Sequence, residues 1–527
     1  MKADRTVRKK QRVRVMSVKT FAAIDVGSYE LSMKIFEISP KEKLKEIDHI
    51  RHRIDLGTET YTVGKLSHEK VDELCRVLCE FGDIMKSYRV ADYRAYGTSA
   101  VREMANREIV LEQIKMRTGI HIDILSNSEQ RFLDYKSIAS KGESFNWLIS
   151  NGTAIIDIGG GSIQVSLFDK DSLVTTQNMR LGILLIREQL TKLKLRHSQY
   201  EDIIEEMSGS QIEVLEKLYL KGKKIDNIIV VDEYISNALG KKDRRYLENY
   251  IDGDTYLKFI EEVRERPLAE LGKTLQMPEE SILLLFISSM LVLKFLRTMG
   301  AGKLWIPGVT LCDGIGYEYA EKNKILVTTH DFEKDIIDCT QNISKRYMGS
   351  KKRGETLEKI ALTIFDSMKK IHGLSKRERL LLRLAALLHD CGKYTSMTNV
   401  GEASYEIIMS TEIIGISHAE REIVANVVRY NYREFSYDRY GRECIPDRHS
   451  YLTVAKLTAI LRVATGLDRS HKEKFRDITA AFRDNQLVLT VNTTYDITLE
   501  KGLFSSKAAF FEEIFEITPV IKRKRGR

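Results

Sequence analysis

Hydrophobic and polar residues follow a clear strand pattern between Thr153 and Phe168, which reads TAIIDIGGGSIQVSLF. The apolar run that ends at Asp157 is rich in isoleucine and predicts a buried strand. The residues after the glycines alternate between apolar and polar, which predicts a second strand with one face on a core. Three consecutive glycines and Ser162 lie between the two runs. The pattern therefore predicts a strand, a tight turn and a second strand.

The same pattern occurs a second time in the chain. Residues Ala23–Phe36, AIDVGSYELSMKIF, align without a gap with Ile155–Phe168, so that Asp25 corresponds to Asp157 and the first glycine of each turn coincides. An internal repeat of this kind predicts two similar lobes, each presenting an aspartate and a glycine turn to a shared cleft. We therefore expect an α/β protein with two related lobes.

A glycine turn beside a carboxylate suits the binding of a phosphate and its metal ion. Three residues without a Cβ allow backbone N–H groups to approach an anion closely, while Asp157 can hold the metal. Two other phosphate motifs are excluded. No Lys-Ser/Thr pair follows the glycines as in a P-loop, and a strand follows where a dinucleotide fold has a helix. Taken alone, such a turn is more often a simple hairpin.

Periodicity predicts further elements around the two hairpins. Residues 69–88 have helical spacing, and residues 94–98 predict a short strand that leads into a Thr-Ser-Ala turn. The hydroxyl groups of this turn can cap a helix that carries Arg102 and Asn106. The apolar run Ser281–Leu293 is shorter than the roughly 20 residues that span a bilayer, so a buried helix is expected.

The second half of the chain has a different pattern. From residue 312 the spacing is helical, and from residue 472 strand alternation returns before a final amphipathic helix predicted over 507–517. The alternation is clearest in residues 486–491, QLVLTV. These patterns predict an all-helical domain followed by a small α/β domain.

Composition places the chain among soluble proteins with several domains. The 527 residues exceed a single hydrophobic core, and 43% hydrophobic and 30% charged residues are ordinary values. The net charge of +9 is concentrated in basic segments at residues 2–14 and 522–527, which are usually solvated and otherwise contact polyanions. Six cysteines without Cys-x-x-Cys pairs favour a reducing compartment. We expect a cytoplasmic protein whose partners include neither a membrane nor nucleic acid.

Three stretches of the sequence resemble one known family. The duplicated strand-turn-strand is similar to that of the acetate kinase, sugar kinase, Hsp70 and actin superfamily. Residues 156–162, IDIGGGS, resemble the second phosphate motif of the exopolyphosphatase/guanosine pentaphosphate phosphohydrolase (Ppx/GppA) family, and residues 97–106, GTSAVREMAN, resemble its TSA-x-R-x-A-x-N motif. The resemblance implies two actin/Hsp70/sugar-kinase-like lobes with ribonuclease-H-like folds, an all-α HD-like domain and a small α/β C-terminal domain.

The chemistry of phosphoanhydride hydrolysis assigns roles to these residues. Asp25 and Asp157 are the expected ligands of Mg²⁺, a hard ion that takes one or two carboxylates together with phosphate oxygens. Arg102 is expected to place a charge on the phosphate. The predicted phosphate-binding residues belong to the two glycine turns and to the Thr-Ser-Ala turn: Gly27, Ser28, Thr98, Ser99, Gly159, Gly160, Gly161 and Ser162.

The resemblance also indicates where a catalytic base belongs. The family's catalytic glutamate lies in a motif of the form I-S-G-x-E-E-A-x-L, and residues 125–133 read LSNSEQRFL. In the ungapped register the position used as base is Gln130, preceded by Glu129. On a helix Glu129 points about 100° away, so it does not replace the base automatically. Glutamine orients water but accepts no proton, and Gln164 likewise stands where the second phosphate motif commonly ends in an acid.

A second motif lies in the helical region. His389 and Asp390 in the sequence HDCGK resemble the core of an HD domain, and Asp468 resembles its final carboxylate. Adjacent His and Asp residues alone give too few ligands for a divalent metal. No histidine stands near residue 354, where the resemblance implies a ligand, and Asn431 stands where the related pattern tends to have histidine. We expect a structural HD fold with a degenerate site.

The predicted division of the chain is a basic disordered arm at 1–16, lobes I and II at 17–140 and 141–311, the HD-like domain at 312–471, and a small α/β domain with a basic tail at 472–527. The implied function is Mg²⁺-dependent release of terminal phosphate from inorganic polyphosphate or guanosine pentaphosphate by a homodimer. Gln130 supports an alternative, a catalytically reduced protein that binds polyphosphate or an alarmone as a regulatory module. A sugar or acetate kinase is a more distant alternative, because the Thr-Ser-Ala and HD-like motifs belong to the hydrolase branch.

Overall fold

The computed structural model of this protein describes residues 19–39, 43–141, 143–194, 196–326, 330–437, 445, 447–475 and 477–524. The arm predicted at residues 1–16 lies outside this part of the chain, as do the last three residues of the basic tail. The described residues form an α/β structure with two larger sheets, a run of helices and a small C-terminal sheet.

The first sheet begins with the hairpin at Asp25. Its first two strands are antiparallel, with Asp25 opposite Ser32, and the first strand also pairs in parallel with the fourth. The strands described here are β1 Lys19–Val26, β2 Glu30–Ser39, β3 Lys43–Arg53, β4 Asp92–Gly97 and β5 Asp123–Ile124. Their order across the sheet is β3-β2-β1-β4-β5.

Amphipathic helices cover the first sheet. The helix predicted over 69–88 is confirmed as His68–Ser87, which begins after the N-cap Ser67 and buries Val71, Leu74 and Leu78. The helices of this part of the chain are α1 Gly57–Val63, α2 His68–Ser87, α3 Ser99–Glu103, α4 Arg107–Thr118 and α5 Asn127–Ala139.

The second sheet repeats the topology of the first. Asp157 lies opposite Gln164 in an antiparallel hairpin of the same register as the hairpin at Asp25. The strands described here are β6 Thr153–Ile158, β7 Ile163–Asp169, β8 Ser172–Met179, β9 Asn227–Val231, β10 Ile251–Asp252 and β11 Lys303–Trp305. The order β10-β11-β9-β6-β7-β8 reproduces that of the first sheet with β10 added at one edge. The internal repeat is therefore confirmed.

Helices of the second part surround this sheet. They are α6 Glu143–Ile149, α7 Ile183–Lys192, α8 Tyr200–Leu215, α9 Glu233–Lys242, α10 Arg245–Glu248, α11 Gly253–Glu265, α12 Leu268–Leu275 and α13 Glu279–Met299. Of the helices in the described residues, α13 alone is long and apolar enough to cross a membrane, yet 72% of its most apolar window is buried inside the structure. The predicted buried helix is thus confirmed, with ends beyond those predicted.

The next helix, α14 Leu311–Lys322, packs on the first sheet. The Cys312 thiol lies 3.4 Å from the carbonyl oxygen of Ala23, and Tyr319 stacks on Phe21 with ring centroids 3.9 Å apart. The chain therefore returns to the first sheet through this helix, which begins where the boundary between lobe II and the HD-like domain is predicted.

The helical region and the C-terminal sheet complete the chain. The helices are α15 Phe332–Arg346, α16 Lys351–Ser367, α17 Lys376–Leu388, α18 Val400–Ser410, α19 His418–Tyr432 and α20 Arg448–Leu467. The small sheet has the order β12-β13-β14, and its elements are β12 Ile478–Arg483, β13 Gln486–Val491, helix α21 Thr498–Phe515 and β14 Thr518–Arg523. The strand predicted over 486–491 is confirmed, whereas the final helix begins earlier than predicted.

Candidate active site

A cavity of about 170 Å³ lies where the two repeated hairpins face each other. Asp25 reaches it from the first hairpin and Asp157 from the second, because each aspartate is the penultimate residue of the first strand of its repeat. Of the other residues predicted for the site, those that line the cavity are Gly27, Ser28, Thr98, Ser99, Gly159, Gly160 and Gln130. The shared cleft expected from the repeat is present.

The two glycine turns have the same backbone geometry. The N–H of Gly27 donates to the carbonyl of Glu30 at 3.1 Å, and the N–H of Gly159 donates to Ser162 at 2.9 Å. A Cβ at Gly160 would lie 2.9 Å from Leu184 and 3.2 Å from the Cβ of Ser28 in the opposite turn. Glycine is thus required here because the two turns approach each other closely.

Three hydroxyl groups form a cluster at the end of this cavity. The Oγ of Ser28 lies 2.9 Å from both the Tyr61 hydroxyl and the Ser99 Oγ, and the Tyr61 hydroxyl donates to Ser99 at 2.9 Å. Gly161 abuts Tyr61, since a Cβ there would lie 2.7 Å from its hydroxyl oxygen. Gly161 and Ser162 therefore shape the turn but do not line the cavity. Tyr61 was not among the predicted site residues.

The Thr-Ser-Ala turn differs from the prediction in its helix. Thr98 is the N-cap of α3 but makes no capping bond through its side chain, and the helix ends at Glu103. Asn106 therefore lies outside α3, where its amide bonds both the N–H and the carbonyl of Leu66. Arg102 lines a separate cavity, because its guanidinium donates to the carbonyl of Leu125 at 2.6 Å. The charge expected on the phosphate from Arg102 is absent from the cleft in this structure.

The adjacent residues Glu129 and Gln130 of helix α5 point in different directions. The Glu129 carboxylate accepts from the N–H of Ser126 at 3.0 Å and from its hydroxyl at 2.7 Å, and so closes a capping box at the start of the helix. Gln130 faces the cleft, and its Oε1 is buried without a hydrogen-bond partner. Glu129 lines the neighbouring cavity with Arg102, so the helix geometry places Gln130 alone of this pair in the cleft.

Asp134, one helical turn after Gln130, also lines the cleft, and it was not predicted. The pKa of Asp134 is raised well above its ordinary range by burial and by the nearby charges of Asp157 and Asp25. Burial also raises the pKa of Asp25 to about 7 and that of Asp157 to about 6. The spacing of four residues was the available signal, because positions i and i+4 share one helix face.

Arg131, between these residues, is 3% exposed and points into the core behind the cleft. Its Nε donates to Oε1 of Gln164 at 2.8 Å and its Nη1 to the hydroxyl of Thr176 at 2.5 Å. Its charge lowers the pKa of Asp157 against the larger effect of burial. Gln164, expected to take the place of an acid at the site, therefore serves as a partner of this arginine.

Two further acidic residues line the cleft at the end of β9. Asp232 accepts from the N–H of Ile235 and the hydroxyl of Ser288, both at 2.7 Å, while burial raises its pKa to about 7. Glu233 pairs with Arg51. The signal in the sequence was their place directly after a buried strand, since β9 is parallel to β6 and both strands end at the same edge.

The cleft offers oxygen atoms that suit a hard cation. Oδ1 of Asp25, Oδ2 of Asp134 and Oε1 of Gln130 are buried and have no hydrogen-bond partner. Within the described ranges, no three His, Cys, Asp or Glu side chains already form a metal-binding group. This is compatible with Mg²⁺, which is usually held by one or two carboxylates, water and substrate phosphates rather than by a complete protein cage.

The HD-like residues also meet in the structure. Asp390 and Asp468 flank the guanidinium of Arg353, at 3.9 Å and 3.2 Å, and Nε2 of His389 lies 3.6 Å from Asp390. His389 donates from Nδ1 to the carbonyl of Ala386 at 2.8 Å, and burial lowers its pKa to about 4. An arginine charge therefore occupies the space between the two carboxylates, near the position where the sequence lacks the expected histidine.

Comparisons with known proteins cover both halves of the chain. Residues 35–230 match the model of the Ppx/GppA phosphatase family, and residues 338–506 match that of Ppx/GppA phosphatase, domain III. A curated relative from Photobacterium profundum, named guanosine-5'-triphosphate,3'-diphosphate pyrophosphatase, is 20% identical over 491 residues, 89% of this chain and 91% of the relative. Exopolyphosphatase 1 of Mycobacterium tuberculosis is 28% identical over 144 residues, 27% of this chain and 40% of that protein.

Solved structures of this group also resemble the chain. A crystal structure of an exopolyphosphatase from Cytophaga hutchinsonii is 16% identical, has a TM-score of 0.49, and covers 59% of this chain and 100% of its own. The Aquifex aeolicus member of the Ppx/GppA family is 20% identical, with a TM-score of 0.48 over 58% of this chain and 99% of its own. The two sequence matches lie on separate parts of the chain, and they include the second glycine turn and the HD-like residues but not the first glycine turn. This chain belongs to the Ppx/GppA phosphatase family.

Proposed function

We propose that this protein hydrolyses a terminal phosphoanhydride bond of inorganic polyphosphate or guanosine pentaphosphate in the cleft between the two hairpins. The main observation in support is the internal repeat, which brings Asp25, Asp157 and two glycine turns to one cavity. The names of the curated relatives, a guanosine-5'-triphosphate,3'-diphosphate pyrophosphatase and an exopolyphosphatase, agree with this chemistry. A cavity of about 170 Å³ is smaller than the roughly 300 Å³ or more of typical ligand pockets, which favours the end of a chain as substrate.

The finer features of the architecture belong to the same proposal. The strand order shared by the two sheets supports two actin-like lobes with ribonuclease-H-like folds. The meeting of His389, Asp390 and Asp468 supports an HD-like helical domain. We further propose a cytoplasmic homodimer, in line with the few cysteines and their lack of pairing motifs.

Mg²⁺ is the proposed cofactor, and Asp25 and Asp157 are the residues that would hold it. Both carboxylates are buried with raised pKa values, and a divalent cation relieves the cost of ionising them. Bound there, the ion supplies positive charge over the oxygens of the transferred phosphoryl group. The backbone N–H groups of the glycine turns and the hydroxyls of Ser28 and Ser99 then orient those oxygens.

Attack by water also requires a group that takes its proton. Gln130 faces the cleft and can orient the water by accepting a hydrogen bond at its unpartnered Oε1. Asp134 lies one turn further on the same face, is buried at the cleft, and has an unpartnered Oδ2. We assign Asp134 as the base, because it is the carboxylate that shares the helix face of Gln130 and has an unpartnered oxygen that can accept the proton.

The position of Gln130 supports a second candidate function. If no carboxylate reaches the water, the cleft holds a phosphate chain without rapid turnover, and the protein acts as a sensor of polyphosphate or an alarmone. General-base assistance is typically worth roughly 10²–10⁴-fold in rate. The two functions therefore differ by a large factor in turnover while sharing one binding site.

Phosphate release separates these candidates. Wild-type protein is incubated with polyphosphate and with guanosine pentaphosphate, with and without Mg²⁺, and binding is measured in parallel. Turnover that depends on Mg²⁺ and is lost in both Asp25→Asn and Asp157→Asn supports the hydrolase, whereas Mg²⁺-dependent binding with no release supports the sensor. Neither release nor binding in wild type, or variants that behave like wild type, contradicts the proposed site.

A further inference from the structure

A second cavity, of about 400 Å³, lies in the helical region beside the HD-like residues. It is formed at the start of α18, the ends of α19 and α20, and α21. No Asp or Glu side chain lines it. Six of its lining residues carry basic side chains: Arg353, Lys393, Arg433, Arg469, His471 and Lys507.

The carboxylates near this cavity are already paired with arginines. Arg353 forms ion pairs with Asp468 at 3.2 Å and with Asp390 at 3.9 Å, and Glu402 accepts from both Arg429 and Arg433. Acidic groups behind the wall are therefore largely neutralised, and the positive charge on its surface is in excess. Where a working HD site would hold a metal, this chain carries a cation of its own.

One buried donor in the wall is incompletely hydrogen-bonded. Arg353 is 9% exposed and lines the cavity, and its Nη1 makes no hydrogen bond and lies 3.9 Å from Oδ2 of Asp390. Arg469, on the exposed side, forms no ion pair or hydrogen bond through its side chain among the described residues. Burial and the charges of Arg462 and Arg469 lower the pKa of Lys507, as expected where cations repel one another. The cluster lacks the anion that would complete it.

We propose that this cavity is a second anion site, which binds a di- or triphosphate group without a divalent metal. Guanidinium and ammonium groups that converge from several helices are the usual means of recognising such groups. The backbone at the start of the 11-residue helix α18 also lines the cavity, with its positive end toward the ligand. This site lies apart from the cleft and acts independently of its chemistry.

The phosphate group can come from an inorganic chain or from a nucleotide. Tyr432, 38% exposed, forms part of the wall and offers a ring on which a base could stack. The two sources are therefore distinguished by comparing tripolyphosphate with GTP. If the natural ligand is a nucleotide, Tyr432→Ala should weaken the binding of GTP but not that of tripolyphosphate. If it is an inorganic chain, tripolyphosphate should bind more tightly than GTP, and Tyr432→Ala should change neither affinity.

The test is calorimetric titration of the full chain with tripolyphosphate and with GTP in EDTA, where Mg²⁺-dependent binding in the cleft is suppressed. Arg469→Glu is expected to weaken binding roughly 10- to 100-fold, since charged hydrogen bonds contribute about 1.5–3 kcal/mol. Arg483→Glu is the matched control, because Arg483 is exposed on β12 and does not line the cavity. The proposal is overturned if neither tripolyphosphate nor GTP binds in EDTA. It is also overturned if Arg469→Glu and Arg483→Glu weaken the binding equally.

Discussion

Replacing Gln130 by glutamate tests the assignment of the cleft more sharply than any other single change. The two side chains have nearly the same size, and Oε1 of Gln130 already faces the cavity without a hydrogen-bond partner. The change therefore adds one proton acceptor with little change in packing. We expect Gln130→Glu to raise the rate of polyphosphate hydrolysis.

The structure gives the size and pH dependence of this effect. In the Asp134→Asn background, where the assigned base is absent, Gln130→Glu should restore roughly 10²-fold, or about 2.7 kcal/mol of barrier. In the wild-type background, which retains Asp134, the increase should be smaller. The new carboxyl group would lie among Asp25, whose pKa is about 7, and Asp157, whose pKa is about 6. We expect its own pKa to be raised in the same way, because burial and like charges both disfavour ionisation. The rate of the variant should then rise with pH as this carboxyl group ionises and level off once ionisation is complete.

Phosphate release in the presence of Mg²⁺, measured from pH 5 to 9, is the assay. In wild type, Asp134→Asn should lower the rate by about 10²-fold if Asp134 is the base. In the Gln130→Glu background the same change should cost less than tenfold, because the new glutamate takes the proton. A double-mutant cycle therefore identifies the residue that acts as base.

Glu129→Gln is the matched control for charge and position. Its carboxylate belongs to the capping box of α5 and lies outside the cleft, so we expect an unchanged rate and a loss of about 1 kcal/mol in stability. The reasoning is refuted if Glu129→Gln abolishes hydrolysis while Gln130→Glu leaves the rate as it was. That result would make Glu129 the base.

Three further predictions concern stability. In the folded protein the pKa of Asp25 is raised from 3.8 to about 7 and that of Asp157 from 3.8 to about 6, so between these values the folded state binds more protons than the unfolded state. The Tm measured without metal should therefore fall as pH rises from 5 to 8. Mg²⁺ should raise the Tm most at pH 8. Arg353→Met leaves the buried carboxylates of Asp390 and Asp468 without their cation. In denaturant titrations this variant should lower the free energy of unfolding by about 3–5 kcal/mol at pH 8 and by less at pH 5. Gly314→Ala should lower the free energy of unfolding by about 1–3 kcal/mol, because the added Cβ would lie 2.0 Å from the carbonyl oxygen of Leu133. Gly502→Ala is the control: open space surrounds this glycine, so the variant should not lower the free energy of unfolding.

The repeated hairpins could be predicted because they depend on local sequence. A strand that ends in Asp25 or Asp157, a glycine turn and a return strand are all specified within about 14 residues. The equal register of the two hairpins, with Asp25 opposite Ser32 and Asp157 opposite Gln164, follows from the same local pattern. The cleft itself requires only that two such units face each other.

Other parts of the site depend on contacts that are distant in sequence. Arg102 was expected on the phosphate, but the short helix α3 directs its guanidinium to the carbonyl of Leu125, a residue placed by β5. Tyr61 reaches Ser28 and Ser99 from α1, a short helix whose position against the two turns the sequence pattern does not determine. Asp232 caps α9 at the edge of the cleft, a place that depends on the pairing of β9 with β6.

The two cavities have opposite electrostatic character, and this links their predicted ligands. In the cleft, Asp25, Asp134 and Asp157 converge without a matching cation on the cavity wall, so we expect the proposed phosphate ligand to bind together with a metal ion that offsets their charge. In the helical region Arg353 already lies between Asp390 and Asp468, and the basic residues of the wall outnumber the carboxylates paired with them, so they can meet an anion directly. Removal of divalent metal should therefore abolish phosphate binding in the first cavity and leave it intact in the second. A single titration with and without EDTA consequently tests the electrostatic assignment of both.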